Sequence, residues 1–203
     1  ADFDNDGWKD LYVTNGYYRD VTNMDFVSYQ ANFMKRNNRA MTINELAEQL
    51  PNKKTANYAF RNSGDLKFED VSAKWGLDQL TVSNGAAYAD LDNDGRLDLI
   101  ACNMNQQVSI YRNEEASANY LQLKLEGTES NRQGIGSKIS LYQGERLQYI
   151  EHYTVKGYNS SVSPIVHFGL GNEGVDSIDV LWPSGKLTRL IAPEVNRQLT
   201  VST

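Results

Sequence analysis

The sequence predicts a mainly β chain. It reads as the C-terminal part of a β-propeller, one to two blades with a helical insert at about residues 20–52, followed by a small antiparallel β-sandwich. Three observations predict this. An acidic, glycine-containing loop occurs twice. Short runs of alternating apolar residues follow each copy and continue through the second half. Between the two copies, one stretch repeats its apolar residues at helical rather than strand spacing.

The loops are Asp2-Phe3-Asp4-Asn5-Asp6-Gly7-Trp8-Lys9-Asp10 and Asp90-Leu91-Asp92-Asn93-Asp94-Gly95-Arg96-Leu97-Asp98. Both carry carboxylates at positions 1, 3, 5 and 9 and glycine at position 6. A hard cation such as Ca²⁺ takes about six to eight oxygens in a flexible shell, and this spacing supplies them. Gly7 and Gly95 permit the sharp turn because glycine has no Cβ to penalise positive φ. The expected ligands are therefore Asp2, Asp4, Asp6 and Asp10, and Asp90, Asp92, Asp94 and Asp98, with the carbonyls of Trp8 and Arg96 at position 7. The plain alternative is a solvated acidic turn, which the recurrence of the whole pattern disfavours. Neither copy is an EF-hand: position 12 is Val13 or Ala101 rather than Glu, and apolar strand-like residues follow. Asp10 and Asp98 would replace that Glu by reaching back from the outgoing strand.

Length and composition narrow the class. With 203 residues, 40% apolar and 10% aromatic, the chain can bury one large core or two small ones. Its formal charge is −6, and eight of its 26 acidic residues lie in the two loops, so two Ca²⁺ would cancel four of those six charges. No basic stripe suits nucleic acid, and no apolar run approaches membrane-spanning length. No signal peptide is present, but the chain opens at Ala1 without an initiator Met and reads as a piece of a longer protein. The lone Cys102 forms no internal disulfide and is expected to be a small buried residue. Calcium loops favour an extracellular, periplasmic or cell-surface setting, where millimolar Ca²⁺ fills weak sites.

Taken in order, residues 1–16 read as the first loop and a strand. Met24, Val27, Ala31 and Met34 recur at helical spacing, as do Ile43, Leu46, Ala47 and Leu50. Thr42-Ile43-Asn44-Glu45 is a capping box that starts a second helix, and Pro51 lies where that helix should stop. Tyr58–Arg61, a turn at residues 62–65 and Lys67–Val71 form a hairpin. Asp2 and Asp90 lie 88 residues apart in number. Without an insert of about 40 residues, that leaves a spacing near the ~40–45 residues of a four-stranded blade. From residue 117, Leu121, Leu123 and Leu125 alternate with polar residues, and Ile139/Leu141, Ile178/Val180 and Leu199/Val201 repeat the pattern. Several short strands at such spacing suggest a sandwich.

The two loops, with Phe60-Arg61-Asn62-Ser63-Gly64 and Phe68-Glu69-Asp70-Val71, resemble FG-GAP/VCBS-type propeller repeats, as in integrin α-subunit propellers. Four later motifs resemble the ASPIC/UnbV domain: Gly127-Thr128-Glu129-Ser130-Asn131-Arg132, Gly134-Ile135-Gly136-Ser137, His167-Phe168-Gly169-Leu170-Gly171 and Trp182-Pro183-Ser184-Gly185. That order of parts is similar to the cartilage acidic protein-like family. Together the resemblances divide the chain into residues 1–116 and 117–203 and leave only the insert uncovered. They imply a secreted or surface-attached protein that binds Ca²⁺.

Catalytic groups are scarce. The only histidines are His152 and His167; His167 lies in an apolar strand, where a hydrogen-bonded structural imidazole is expected. Ser160, Ser161 and Ser163 show no nucleophile motif with a base, and the obvious carboxylates are committed to metal. The insert offers the candidate ligand surface. Tyr17, Tyr18, Tyr29 and Phe33, with Arg36 and Arg39, could stack a sugar or dock a protein, although amphipathic inserts more often bury their aromatic face. Two functions compete. One is a non-catalytic, calcium-structural module for adhesion or for binding a glycan or extracellular protein. The other is an accessory or partial region of a polysaccharide-active enzyme whose active site lies in upstream blades.

Overall fold

A computed structural model describes residues 1–16, 19–20, 22–51, 54–114 and 118–203. The expected boundary between residues 116 and 117 lies outside the described residues.

The first half is built on strands Leu11–Val13 (β1), Thr55–Ala56 (β2), Tyr58–Asn62 (β3), Phe68–Asp70 (β4), Leu80–Thr81 (β5), Ser83–Ala89 (β6), Asp98–Asn103 (β7) and Ser109–Tyr111 (β8). They form two antiparallel three-stranded sheets, β1-β3-β4 and β6-β7-β8, and a two-stranded β2-β5 pair. Each three-stranded sheet is one strand short of a four-stranded propeller blade. The second acidic loop joins β6 to β7, which pair antiparallel up to Ala89 opposite Asp98. Ala59, Val71, Leu77 and Leu99 are buried between the sheets, with Phe3, Tyr12 and Trp75 packed against them. Phe3 meets Trp75 and Tyr88 edge-on, at 6.2 and 6.3 Å between ring centroids.

The insert is two helices, Met24–Asn37 (α1) and Ile43–Gln49 (α2). Asn23 caps α1 by accepting from the Phe26 amide at 2.9 Å, and both halves of the Thr42/Glu45 capping box are formed on α2. The expected apolar face is corrected. Met24, Val27, Ala31 and Met34 are exposed, as are Ile43 and Ala47, whereas Phe26 and Met41 are buried. A three-to-four residue spacing fits two neighbouring stripes of a helix, and the stripe holding the large Phe26 ring is the one that packs. At its base the insert is stitched shut: Arg19 Nη1 donates to Leu50 O at 2.7 Å, and Asp20 N to Pro51 O at 3.0 Å.

The second half is a sandwich of Asn119–Glu126 (β9), Lys138–Gln143 (β10), Arg146–Glu151 (β11), Ile165–Gly171 (β12), Ser177–Leu181 (β13), Leu187–Ile191 (β14) and Arg197–Ser202 (β15). One sheet runs β11-β10-β13-β14 and the other β12-β9-β15. The sandwich is not wholly antiparallel, because β15 lies parallel to β9. Leu121, Leu123, Ile139, Leu141, Phe168, Ile178 and Val180 fill the space between the sheets, each fully buried. Cys102 is exposed, against expectation. Along β7 the side chains alternate; Leu99 and Ala101 face inward, which turns Cys102 outward.

Candidate metal centre

The two acidic loops share most of their backbone geometry and differ at one amide: Asp6 N donates to Asp4 at 3.3 Å, whereas Asp94 N donates to Asp90 at 3.0 Å. Gly7 and Gly95 both take φ 87°, and the asparagines at position 4, Asn5 and Asn93, take left-handed φ of 56° and 59°. Asparagine tolerates that region better than most residues. The position-1 carboxylate accepts from the glycine amide: Gly7 N to Asp2 Oδ2 and Gly95 N to Asp90 Oδ2, both 2.9 Å. The position-5 carboxylate accepts from position 7: Trp8 N to Asp6 at 2.8 Å and Arg96 N to Asp94 at 2.9 Å. The position-9 carboxylate reaches back as expected and accepts from position 2: Phe3 N to Asp10 at 2.9 Å, Leu91 N to Asp98 at 3.0 Å.

The repeat extends into a neighbouring strand, which the sequence reading missed. At the ends of β3 and β8 stand Phe60-Arg61-Asn62 and Tyr111-Arg112-Asn113. Arg61 pairs with Asp4 at 2.5 Å and Asp6 at 3.1 Å; Arg112 pairs with Asp92 at 3.0 Å and Asp94 at 3.8 Å. The backbone amides of Asn62 and Asn113 donate to Asp10 and Asp98 at 2.9 and 2.8 Å. Their side chains donate to the position-8 carbonyls of Lys9 and Leu97, both at 3.2 Å. The signal was the recurring aromatic-Arg-Asn triplet. It was masked because Asn62 lies 52 residues beyond Asp10, while Asn113 lies 15 beyond Asp98. The helical insert makes the difference.

Two groups of carboxylates converge. Asp2, Asp4 and Asp10 offer oxygens within 4.8 Å of one another, as do Asp90, Asp92 and Asp94. Arg61 lies against both Asp4 and Asp6, and both oxygens of Asp10, like both of Asp98, accept from backbone amides. Arg96 pairs its side chain with Asp94 and Asn113 O, and the Trp8 ring lies against the Arg146 guanidinium at 4.6 Å. One oxygen, Asp2 Oδ1, is buried and has no hydrogen-bond partner. Burial pushes the Asp2 carboxyl up to about 7 and that of Asp10 up to about 6. An all-oxygen donor set with an uncompensated buried oxygen fits a hard cation of the Ca²⁺ kind.

The sandwich braces both loops. Gln122 on β9 and His167 on β12 are register partners on the outer face of their sheet. Gln122 Nε2 donates to Asp90 at 2.8 Å, and His167 Nε2 lies 2.7 Å from Asn5 Oδ1. Burial holds the His167 imidazole well below its ordinary value, at about 3, so it is neutral. A neutral ring with Nε2 protonated donates to Asn5. Arg146 from β11 donates to Asp6 O at 2.9 Å. Gly169 lies so close that a Cβ there would sit 2.3 Å from Asp2 Oδ2.

The expected ligand surface is only partly visible. Tyr17 and Tyr18 lie outside the described residues. Arg36 is exposed, whereas Arg39 forks onto Glu45 at 2.7 and 2.9 Å and covers the Phe33 ring at 5.0 Å. His152 rests its Nε2 on Gln133 O at 3.0 Å. Ser160 Oγ donates to Tyr158 O and accepts from the Ala86 amide.

Comparison with known proteins agrees with the motifs. Residues 46–101 match the FG-GAP-like repeat, a propeller-type element, and residues 127–203 match ASPIC and UnbV. The chain is 30% identical over 210 residues to cartilage acidic protein 1 of Xenopus tropicalis, covering 100% of this chain and 28% of that protein. The Mus musculus protein of that name is 29% identical over 201 residues, covering 96% and 26%. The Homo sapiens protein is 28% identical over 209 residues, covering 99% and 27%. The chain thus spans little more than a quarter of the length of the curated relatives it matches.

Proposed function

Taking the chain as an FG-GAP-like repeat followed by an ASPIC and UnbV domain, we propose that it is a calcium-stabilised, non-catalytic binding module of an extracellular protein. The buried, unpartnered Asp2 Oδ1 among Asp4 and Asp10 carries the calcium reading. A cation there would neutralise carboxylates that the fold otherwise crowds together. It would stabilise the folded chain by mass action, since the unfolded chain holds no such cage. Relatives named for cartilage support an extracellular setting, where Ca²⁺ is plentiful.

The non-catalytic reading rests on how the reactive groups are spent. Both histidines are buried and face an amide or a carbonyl oxygen, and the loop carboxylates face arginines and amides. Catalysis needs a positioned base beside a group that stabilises developing charge. The ligand we assign is an extracellular protein rather than a glycan. Met24, Val27 and Met34 leave an apolar stripe of α1 exposed, and Tyr29 and Ile43 are exposed elsewhere on the insert, while Arg39 is occupied by Glu45.

Calorimetric titration of Ca²⁺ into chelator-stripped protein tests the cation. Two sites are expected, with one lost in Asp92→Ala; absence of binding would sink the reading.

A further inference from the structure

Asn5 occupies the fourth position of its loop, as Asn93 does in the other, yet only Asn5 is buried, at 2% exposure. Every polar group of its side chain is used outside its own loop. Nδ2 donates to Gly95 O, in the turn of the second loop, at 3.0 Å. Oδ1 faces His167 Nε2 at 2.7 Å, and its backbone O accepts from Gly171 N at 2.7 Å. The circuit closes on the far side. The Tyr120 ring stacks parallel to His167 at 6.1 Å, and it lies against Gly95 so tightly that a Cβ there would be 1.9 Å from Cε1. A second strut runs beside it: Asn113 Nδ2 donates to Phe3 O of the first loop at 2.6 Å, besides holding Leu97 O of its own. Asn93 makes no side-chain hydrogen bond among the described residues.

We propose that the two cation loops load as one linked unit, with Asn5 as the link. The inference rests on the calcium reading above. Each loop must hold its turn closed for its carboxylates to converge. The Asn5–Gly95 bond exists only when both turns are closed. A cation in the second loop fixes Gly95 O as an acceptor and so holds Asn5 in its left-handed conformation before the first loop binds anything. The ordering cost is met once and shared, which is positive cooperativity without any movement of the rest of the fold. Linkage is reciprocal, so each loop must tighten the other by the same factor.

The test compares affinities in four backgrounds, each with the second loop intact or disabled, and every member is checked by thermal melting with saturating Ca²⁺ to show that it folds. Loop-one affinity is read by terbium luminescence sensitised through Trp8, which lies in the first loop where the second has Arg96. Disabling the second loop with Asp92→Ala and Asp94→Ala should weaken the first by at least about fivefold, the lower end of ordinary coupling. In an Asn5→Gly background, which keeps the left-handed backbone and removes the link, the same disabling should cost less than about twofold. Asn93→Gly should leave the fivefold coupling in place. Asn113→Ala, which spares the backbone amide to Asp98, should reduce the coupling without moving Asn5. Two loops that bind independently in the unaltered chain would overturn the linkage while leaving the calcium reading intact. Coupling that survives Asn5→Gly undiminished would remove Asn5 as the link. No terbium or Ca²⁺ binding in any member would end both.

Discussion

Gly169→Ala is the most demanding test of how the two halves meet. Gly169 is not in the left-handed region, so alanine suits its backbone, and only space is at issue. The new methyl would stand 2.3 Å from Asp2 Oδ2, 2.4 Å from Asn5 Cα and 2.6 Å from Asn5 C. Two of these are backbone atoms that no rotamer change can move. Restoring ordinary contact means backing the first loop away from β12 by about 1 Å, a strain of roughly 1–3 kcal/mol. The same retreat stretches the two 2.7 Å bonds of Asn5, to His167 and to Gly171, out of hydrogen-bonding range. Each lost bond adds about 1 kcal/mol. A total of about 3–5 kcal/mol should lower the melting temperature by roughly 6–20 °C in a chain of this size. Calorimetry with Ca²⁺ present, and hydrogen exchange at the Gly171 amide, give the two readouts. Gly174→Ala is the control, since nothing lies within 4 Å of a Cβ there. A Gly169→Ala protein that melts within about 1 °C of the parent, with Gly171 still protected, would refute the tight apposition.

Two further outcomes follow from the same geometry. Asp2 and Asp10 titrate near 7 and 6 because burial disfavours their charged forms, so the cation-free protein holds protons that a cation must displace. Ca²⁺ affinity should therefore rise between about pH 5 and 8, with proton release greatest at the acid end. Since both values lie above the ordinary 3.8, the cation-free fold should lose stability as pH rises from about 4 to 7 and change little above that. Titrations in two buffers of different ionisation enthalpy measure the protons; equal affinity at both ends with none released would refute it. Leu123→Ala, at a fully buried position in the sandwich core, should cost about 2–5 kcal/mol in urea unfolding. A loss below about 1 kcal/mol would mean that the core repacks around the gap.

The loops were legible because their chemistry is local. Nine consecutive residues carry the carboxylates and the glycine, and the structure repeats the amide bonds to positions 1, 5 and 9. The sandwich strands were legible for the same reason: Leu121, Leu123 and Leu125 alternate, and they point inward. What alternation hides is the other face. Gln122 and His167 read as an outward polar residue and an isolated histidine, yet both are buried because the loops lie over them. No local pattern could place them, since their partners are 32 and 162 residues away. Arg61 and Arg112 were hidden by the insert, which changes the distance to the carboxylates from 20 residues to 57. In the insert itself, helix and cap were right and the packed face was wrong. A periodicity fixes which residues share a stripe, but the surface beneath decides which stripe is buried.

The reach from Asn5 to His167 also sets a timetable. During synthesis the first loop leaves the ribosome 162 residues before the imidazole that will brace it. At about 5–20 residues per second, that interval is on the order of 8–30 s. Throughout it, the surface destined to lie beneath β12 faces water, with the Asp2 carboxylate in the open. Hydrated there, the carboxyl recovers an ordinary acidity and a full negative charge. That charge keeps the nascent surface hydrated until β12 covers it.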